Sequence, residues 1–385
     1  HAADPCAAWM DPRDSADRRA NALVAAMTQD QELGMLTFSD PPWFAFYGTA
    51  GHVDGIPELC VPDLVLSDAG SGVAGLQVAT TVFPSGVAQA STWDPALQRR
   101  LGRAIGAEAF AKGINVMLGP GMNIARTPYN GRNFEYLGED PYLAASSATA
   151  FIRGIQDNPV LASAKHFAFN DQETDRMTVD VHVDERTRRE IYLPPFEAAV
   201  KRGDVASVMC SYNRVGGAYA CENRRLLTGY LRHDWGFDGF VESDWGATHS
   251  TGPTAMAGMD LEMHASPVPQ RYFSADNLRA ALADGSLTRR RVDEMVRNVV
   301  RPMFEHGLFD HPVESGVAPY LSDVSTPHTA LARRVAAEST VLLKNRDDLL
   351  PLEQDGGRTI AVIGWAANPV GATGSTSGGG SSHGS

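Results

Sequence analysis

Short apolar runs alternate with longer amphipathic segments along most of the chain. The runs have the length and β-branched content of buried strands, and they lie at 64–68, 114–118, 161–165, 205–210, 237–241 and 259–263. The segments around them carry apolar residues at helical spacing, which predicts helices over 16–36, 94–112, 141–156, 184–202, 222–234 and 248–257. Strands separated by single helices form a parallel sheet. This number of units predicts an α/β fold with a closed (β/α)8-type barrel.

The rest of the chain follows a different pattern. Two helices come after the last strand, and the second has an apolar stripe formed by Val292, Met295, Val296, Val299, Val300 and Met303. We predict that the barrel covers 1–306, that a linker with several Pro and Gly covers 307–327, and that a second domain begins over 328–385. Its expected parts are a helix at 329–343, a buried strand at 359–364 and a flexible Gly/Ser-rich segment at 366–385. One helix and one strand are too few to fold alone, so we expect this domain to be incomplete.

The overall composition excludes two kinds of partner. A net charge of −13 at pH 7, with no local block of Lys and Arg, would repel the phosphate backbone of nucleic acids. No apolar run approaches the roughly 18 residues that a membrane span requires. We therefore expect no nucleic acid partner and no membrane partner.

Four cysteines, Cys6, Cys60, Cys210 and Cys221, lack the close pairing typical of a zinc site or a Cys-x-x-Cys redox motif. Cys210 and Cys221 flank a segment with a Gly-Gly turn, which could bring their sulfurs together. An even number permits two disulfides and an oxidising compartment, and four buried free thiols are the alternative. Because the chain begins with His1 and not with Met, it also has the form of a trimmed secreted protein, so we predict an extracellular location.

The most informative stretch is 239–246, where a buried strand ends in Asp244 beside Trp245. Reacting groups collect at the carboxyl ends of barrel strands, so Asp244 is our candidate for the central catalytic residue. The alternative is that Asp244 only caps a helix beginning near Ala247. Polar residues also follow other predicted strands, and they are Asp68, Arg132, Lys165, His166 and Tyr212. This mixture of donors and acceptors suits a ligand with many hydroxyl groups, such as a sugar.

Four motifs in a fixed order give a more specific indication. They read GRNFEYLGEDP at 131–141, KHFAFNDQE at 165–173, VMCSYN at 208–213 and GFVESDWG at 239–246. Together they resemble the family 3 glycoside hydrolases, in the branch that contains secreted β-glucosidases. Further similarity at VFP in 82–84, ASTWD in 90–94 and AESTVLLKN in 337–345 extends the resemblance over nearly the whole chain. It implies a catalytic barrel followed by an α/β-sandwich domain, which 337–345 would enter.

The resemblance implies roles for individual residues. Asp244 matches the nucleophile of a retaining mechanism, in which two carboxyl groups stand about 5 Å apart and a covalent glycosyl-enzyme intermediate forms. The residues that match positions holding or flanking the sugar in the −1 subsite are Asp68, Arg132, Lys165, His166, Arg176, Met209 and Tyr212. Trp245 would offer an apolar face to the pyranose ring. The resemblance implies no cofactor and no metal.

Several of these residues also allow a structural interpretation. Arg132 could pair with Glu135 or Glu139 on a surface helix. The adjacent Lys165 and His166 should face opposite sides of a strand, which would leave one of them structural. Met209, Tyr212 and Trp245 could be ordinary core residues. Asp260, Glu262 and His264 alternate along one strand and could in principle bind a metal, but carboxylates bonded to barrel residues fit the spacing better.

Two departures from the family pattern narrow the substrate. Asp68 is followed by Ala69 and Gly70, where the family commonly has Gly-Pro with arginines after it, so fewer cations would hold O4 and O6 of the sugar. No histidine occurs at 170–173, where the N-acetylglucosaminidase branch carries a His/Asp acid-base pair, and that branch is disfavoured. In the β-glucosidase-like branch the acid/base is a glutamate of the second domain. We expect it beyond Ser385, so residues 1–385 alone should not complete turnover.

The sequence thus predicts a secreted, exo-acting, retaining β-glucosidase that removes a terminal β-D-glucosyl residue from a small-molecule glycoside. The remainder of the same polypeptide would complete the active site. A composition rich in Ala, Arg and Asp and poor in Lys is typical of actinobacteria, and a secreted subtype acting on glycosylated macrolides is one hypothesis. The alternatives are a β-xylosidase or arabinosidase of the same fold and, from a different class, a non-catalytic sugar-binding barrel.

Overall fold

Six short strands form one curled sheet in the computed structural model, which describes residues 6–39, 49–74, 79–264, 270–314, 316–352 and 359–364. In chain order they are β1 (Gly51–Val53), β2 (Leu64–Asp68), β3 (Val116–Leu118), β4 (Leu161–Phe167), β6 (Ser207–Cys210) and β9 (Phe240–Ser243), and they neighbour one another in that order. All neighbouring pairs are parallel except β1 and β2, which are antiparallel. A small second sheet contains β5 (Asp180–Val181), β7 (Arg214–Val215) and β8 (Ala218–Tyr219).

Isolated backbone bridges close the curled sheet into a ring. Leu261 forms a parallel bridge with Glu242 on β9, and Glu262 forms a parallel bridge with Thr37. The Ser39 N–H then donates to the carbonyl of His52 on β1 at 2.8 Å, which completes the circle. The six strands and these two bridging segments make eight positions, so the predicted (β/α)8-type barrel is confirmed. This barrel differs from the regular all-parallel pattern at β1, which is antiparallel to β2.

Helices connect and flank the strands. Their bounds are α1 Ala16–Ala26, α2 Gln29–Gly34, α3 Gly86–Ala90, α4 Pro95–Ala111, α5 Pro141–Gln156, α6 Glu185–Thr187, α7 Pro194–Lys201, α8 Gly252–Ala257, α9 Ala275–Ala283, α10 Arg289–Glu305, α11 Val317–Leu321 and α12 Thr329–Glu338. Two further segments, Arg188–Tyr192 and Arg225–Asp234, are π-helical. The apolar stripe predicted for α10 is confirmed, because every member of it is fully buried.

Four predicted helices have different bounds in the structure. The helix predicted at 16–36 is divided into α1 and α2, because Thr28 caps a new helix. Its hydroxyl accepts from the Gln31 N–H at 3.3 Å, and its own N–H donates to the Gln31 side chain at 2.9 Å. The helix predicted at 184–202 is divided before α7, which opens with Pro194 and Pro195, residues without an N–H to donate. The helices predicted at 222–234 and 248–257 begin later, at Arg225 and Gly252.

The C-terminal region differs most from the prediction. The helix predicted at 329–343 ends at Glu338, and the apolar residues just after it are exposed. The buried strand predicted at 359–364 is wrong, because this segment has no strand structure and Ile363 is 90% exposed. A strand needs neighbours with which to pair, and no described residue pairs with this segment. The stretch 366–385 lies outside the described residues, and the domain bounds stay predictions.

Two disulfides join Cys6 to Cys60 and Cys210 to Cys221. The prediction of paired cysteines is therefore confirmed, and the alternative of four free thiols is wrong. The second disulfide links the end of β6 to the segment that follows β8, and so restrains the loop that begins next to Tyr212. No helix in the described part of the chain is long and apolar enough to cross a membrane.

Candidate active site

Asp244 follows β9 directly, and its carboxyl group is buried, with only 3% of the residue exposed. Its Oδ1 accepts a hydrogen bond from the Tyr212 hydroxyl at 2.7 Å and another from the Trp245 N–H at 2.8 Å. Its Oδ2 is buried without a hydrogen-bond partner. The helix-cap interpretation is wrong, since α8 begins only at Gly252 and its N-cap is Thr251. One oxygen is thus held by two donors, while the other makes no hydrogen bond.

Lys165 and His166 lie at the end of β4, and both side chains are buried against the site. Lys165 Nζ is 3.5 Å from Asp68 Oδ1, and His166 Nε2 is 3.7 Å from Asp244 Oδ2. The expectation that two adjacent residues face opposite sides is wrong here. The pairing of β4 with β6 is irregular between Ala164 and Phe167, and such a bulge lets consecutive side chains point the same way.

The backbone and the protonation state of His166 are both fixed by neighbours. The Asn123 side chain makes two hydrogen bonds to the His166 backbone. Its Oδ1 accepts from the His166 N–H at 2.7 Å, and its Nδ2 donates to the His166 carbonyl at 2.9 Å. Burial holds the pKa of His166 well below its ordinary value, and the positive charges of Arg132, Lys165 and Arg176 add to this effect. The imidazole is therefore neutral at pH 7, and can donate or accept a hydrogen bond towards a hydroxyl group.

Asp68 and Arg132 supply opposite charges from two other positions. Burial raises the pKa of Asp68, Lys165 opposes the rise, and Glu135 and Asp244 add to it. Arg132 is buried and forms an ion pair with Glu135. Burial disfavours its charged form, but Glu135, Tyr136 and Asp244 outweigh that effect and raise the pKa of Arg132. The interpretation of Arg132 as a member of a surface pair is therefore wrong.

Of the residues predicted to lie beside the sugar, some contact the site and one belongs to the hydrophobic core. The Arg176 guanidinium lies 4.5 Å above the Tyr212 ring, and its Nη1 is 2.9 Å from Glu173 Oε2. Met209 is completely buried opposite Glu242, so it is a core residue of the barrel. Trp245 is only half-buried, which leaves part of the indole accessible to a ligand.

The residues considered for a metal site are bonded elsewhere. Asp260 accepts from Arg232 Nη2 at 2.6 Å and from Arg291 Nη2 at 2.8 Å. Glu262 accepts from the N–H groups of Tyr272 at 3.0 Å and Phe273 at 2.6 Å. These contacts support the interpretation of both acids as structural carboxylates of the barrel.

Sequence reasoning missed two residues that shape the site. Asn123 holds the His166 backbone, and Glu242 lies beneath Asp244 in the barrel. Glu242 did leave a signal, because it is an acid inside an otherwise apolar strand. The Asp244 carboxylate is surrounded by an ammonium, a guanidinium, a neutral imidazole and a second carboxylate. This mixture of donors and acceptors at the carboxyl ends of barrel strands suits a ligand with many hydroxyl groups.

Comparison with known proteins identifies the family. Residues 56–301 match the Glycosyl hydrolase family 3 N terminal domain, so the chain belongs to glycosyl hydrolase family 3. It is 41% identical, over 93% of its length, to a β-glucosidase of Rhizobium radiobacter, of which it covers 42%. It is 37% identical, over 90% of its length, to an exo-α-(1→6)-L-arabinopyranosidase of Bifidobacterium longum, of which it covers 46%. The chain thus spans less than half the length of these relatives.

Solved structures show the same fold. β-Glucosidase 3B from Thermotoga neapolitana, in complex with glucose, superposes with a TM-score of 0.79 at 35% identity, covering 87% of this chain and 48% of that one. A β-glucosidase from Streptomyces venezuelae, in complex with D-glucose, gives a TM-score of 0.79 at 34% identity, with coverage of 88% and 43%.

Replacing Tyr212 by phenylalanine should weaken the site without disturbing the fold. The change removes the hydrogen bond to Asp244 Oδ1, and a bond to a charged group contributes about 1.5–3 kcal/mol, so we expect kcat/KM for an aryl β-glucoside to fall about 10- to 100-fold. Steady-state kinetics of the full-length protein measure this. Tyr230→Phe is the matched control, because it removes a similar hydroxyl–carboxylate bond, to Glu185, away from the site. Equal effects of the two substitutions would contradict the role of Tyr212.

Proposed function

We propose that this protein is a retaining, exo-acting β-glucosidase with Asp244 as its nucleophile. The observation that carries the proposal is the state of the Asp244 carboxyl group: Oδ1 is fixed by two donors, while Oδ2 is buried and unbonded at the carboxyl end of a barrel strand. A carboxylate held in this way can direct one lone pair at a carbon atom. The family and the β-glucosidases among its relatives support glucose as the sugar.

In the proposed reaction, Asp244 Oδ2 attacks C1 of the sugar and forms a C–O bond as the bond from C1 to the glycosidic oxygen breaks. The departing oxygen takes a proton from a general acid, for which a glutamate beyond Ser385 remains our prediction. Water then attacks C1 from the side that the aglycone left, gives its proton to the same group and releases Asp244. Each step conserves charge and atoms, and the configuration at C1 is retained.

The remaining groups would bind and orient the sugar. Asp68 and Lys165 are in contact at 3.5 Å, so a hydroxyl group beside the pair could donate to the carboxylate and accept from the ammonium. Neutral His166 and positively charged Arg132 would contact further hydroxyls. The half-buried Trp245 would pack against the ring.

A panel of aryl glycosides tests the choice of sugar. We expect the full-length protein to hydrolyse the β-D-glucoside with a kcat/KM at least about tenfold above that for the β-D-xyloside, because the hydroxymethyl group at C5 adds contacts that xylose lacks. The α-L-arabinopyranoside belongs in the panel, since one relative is named for that activity. A preference for either pentoside would replace glucose by that sugar. Sugar binding without hydrolysis of any glycoside would favour the non-catalytic barrel.

Two properties of the whole protein remain proposals. Two disulfides are consistent with an oxidising compartment, which supports an extracellular location. A glycosylated macrolide as the natural substrate stays a hypothesis from composition. Hydrolysis of such a glycoside with a kcat/KM above that for simple aryl glucosides would support it.

A further inference from the structure

A second carboxyl group lies inside the barrel, two residues before Asp244. Glu242 is on β9, and residues two apart along a strand face the same side, so it lies in the inward-facing row that leads to Asp244. Its side chain is completely buried. Burying a carboxyl group costs free energy of folding unless neighbouring groups form hydrogen bonds with it. The contacts of Glu242 therefore indicate its role.

A hydroxyl group from another strand binds this carboxyl group. Ser163 on β4 donates its hydroxyl hydrogen to Glu242 Oε1. Ser207 on β6 lies nearby and lowers the pKa of this carboxyl, but its hydroxyl makes no hydrogen bond. Because β6 lies between β4 and β9, the Glu242 side chain reaches across one strand and joins β9 to β4 from the inside.

Ser163 and Glu242 each lie two residues before a residue of the candidate active site. Ser163 precedes Lys165 by two residues on β4, as Glu242 precedes Asp244 along β9. The charge of Lys165 lowers the pKa of Glu242 and that of Asp244 raises it. The bond between Ser163 and Glu242 therefore restrains the two strands that carry Lys165 and Asp244.

We propose that Glu242 is a positioning residue, which holds Asp244 and Lys165 in reacting geometry by bonding Ser163 across the barrel interior. This inference rests on the proposed glycosidase reaction, in which Asp244 must meet C1 of the sugar. A displacement of about 1 Å can reduce a rate about 10²-fold, so a link beneath the nucleophile affects turnover without touching the substrate.

The protonation of Glu242 gives this role a measurable signature. The pKa of Glu242 is raised to about 7, mainly by burial and further by Asp244, while Ser163, Ser207 and Lys165 oppose the rise. Below that pH the carboxyl group is neutral. Above it, a second negative charge next to Asp244 competes for Lys165. We therefore expect kcat/KM to decline as the pH rises through about 7.

The first test compares the full-length protein with its Glu242→Gln and Glu242→Leu variants across that pH range. Glutamine keeps the shape and can accept from Ser163 but does not ionise, so the decline near pH 7 should disappear while KM changes by less than about threefold. Leucine removes the link, and kcat should fall about 10²-fold. Glu262→Gln is the matched control: this buried barrel carboxyl also has a raised pKa but binds backbone N–H groups, so the decline should persist.

The second test does not depend on activity. The folded-state pKa of Glu242 lies above its ordinary value of 4.5, so its neutral form contributes stability that is complete below about pH 4.5 and is lost as the pH rises to about 7. The Tm of the Glu242→Gln variant relative to the unmodified protein should therefore increase between these pH values and then level off. A relative Tm that does not change with pH would overturn the assignment of a buried acid.

The outcomes separate the two proposals. If the unmodified protein hydrolyses the glucoside and Glu242→Gln has the same pH profile and kcat, the positioning role is overturned while the glucosidase function stands. If the unmodified protein hydrolyses no glycoside, the proposed function fails and the positioning role fails with it. A lost alkaline decline in Glu242→Gln, retained in Glu262→Gln, would establish the role.

Discussion

Substituting Asp244 by asparagine should reduce kcat for a β-glucoside at least about 10⁴-fold, because the amide cannot form the bond to C1 on which the proposed mechanism depends. Asparagine keeps the side-chain shape and can still accept from the Tyr212 hydroxyl, so the fold and sugar binding should survive. Kinetics of the purified full-length variant measure the loss, and its Tm shows that the fold is intact.

A chemical trap identifies the reacting residue directly. A 2-deoxy-2-fluoro-β-glucoside with a good leaving group should accumulate as a covalent adduct, and mass spectrometry should locate it on the peptide containing Asp244. Asp238→Asn is the matched control, since Asp238 is an exposed acid before β9 that pairs with Arg301 outside the site. An adduct on another residue, or an Asp244→Asn variant with full activity, would refute the assignment.

Substituting Asp260 by alanine should cost about 3–5 kcal/mol in the free energy of unfolding. The Asp260 carboxylate is completely buried and accepts hydrogen bonds from Arg232, Arg291, the Asn298 side chain and the Val241 N–H. Its loss would remove the shortest ion pair of each of two largely buried guanidinium groups, although Arg291 also lies 3.9 Å from Glu294. Because Val241 lies on β9, we also expect the strand that leads to Asp244 to be less well ordered.

Urea denaturation followed by tryptophan fluorescence measures this cost. Asp276→Ala is the control, because Asp276 pairs with Arg279 on the exposed surface, where ion pairs contribute little. The midpoint should fall for Asp260→Ala and stay unchanged for Asp276→Ala. Restoration of Asp260→Ala stability by a divalent metal, or a midpoint equal to that of the control, would argue against a structural carboxylate.

Local patterns in the sequence were sufficient to predict some strands and helices but not others. The apolar runs predicted β2, β3, β4, β6 and β9, because burial on both faces of a parallel strand leaves a continuous apolar signal. The break between α1 and α2 has a local cause as well, the capping box at Thr28, but the apolar spacing on both sides of it hides the break. The segment 359–364 carries the same apolar signal as the true strands, yet it pairs with nothing in the described part of the chain.

The sequence by itself determined the alternation of strands and helices, the position of Asp244 after β9 and the motifs of the family. Only the tertiary structure decided which side chains meet: Tyr212 with Asp244 across 32 positions, and Ser163 with Glu242 across 79. It also showed that Lys165 and His166 both face the site, and that Thr37 and Glu262 close the ring. The physical reason is that the spacing of apolar residues records whether each position is buried, whereas the partner of a buried polar group depends on strand neighbours far away in the chain.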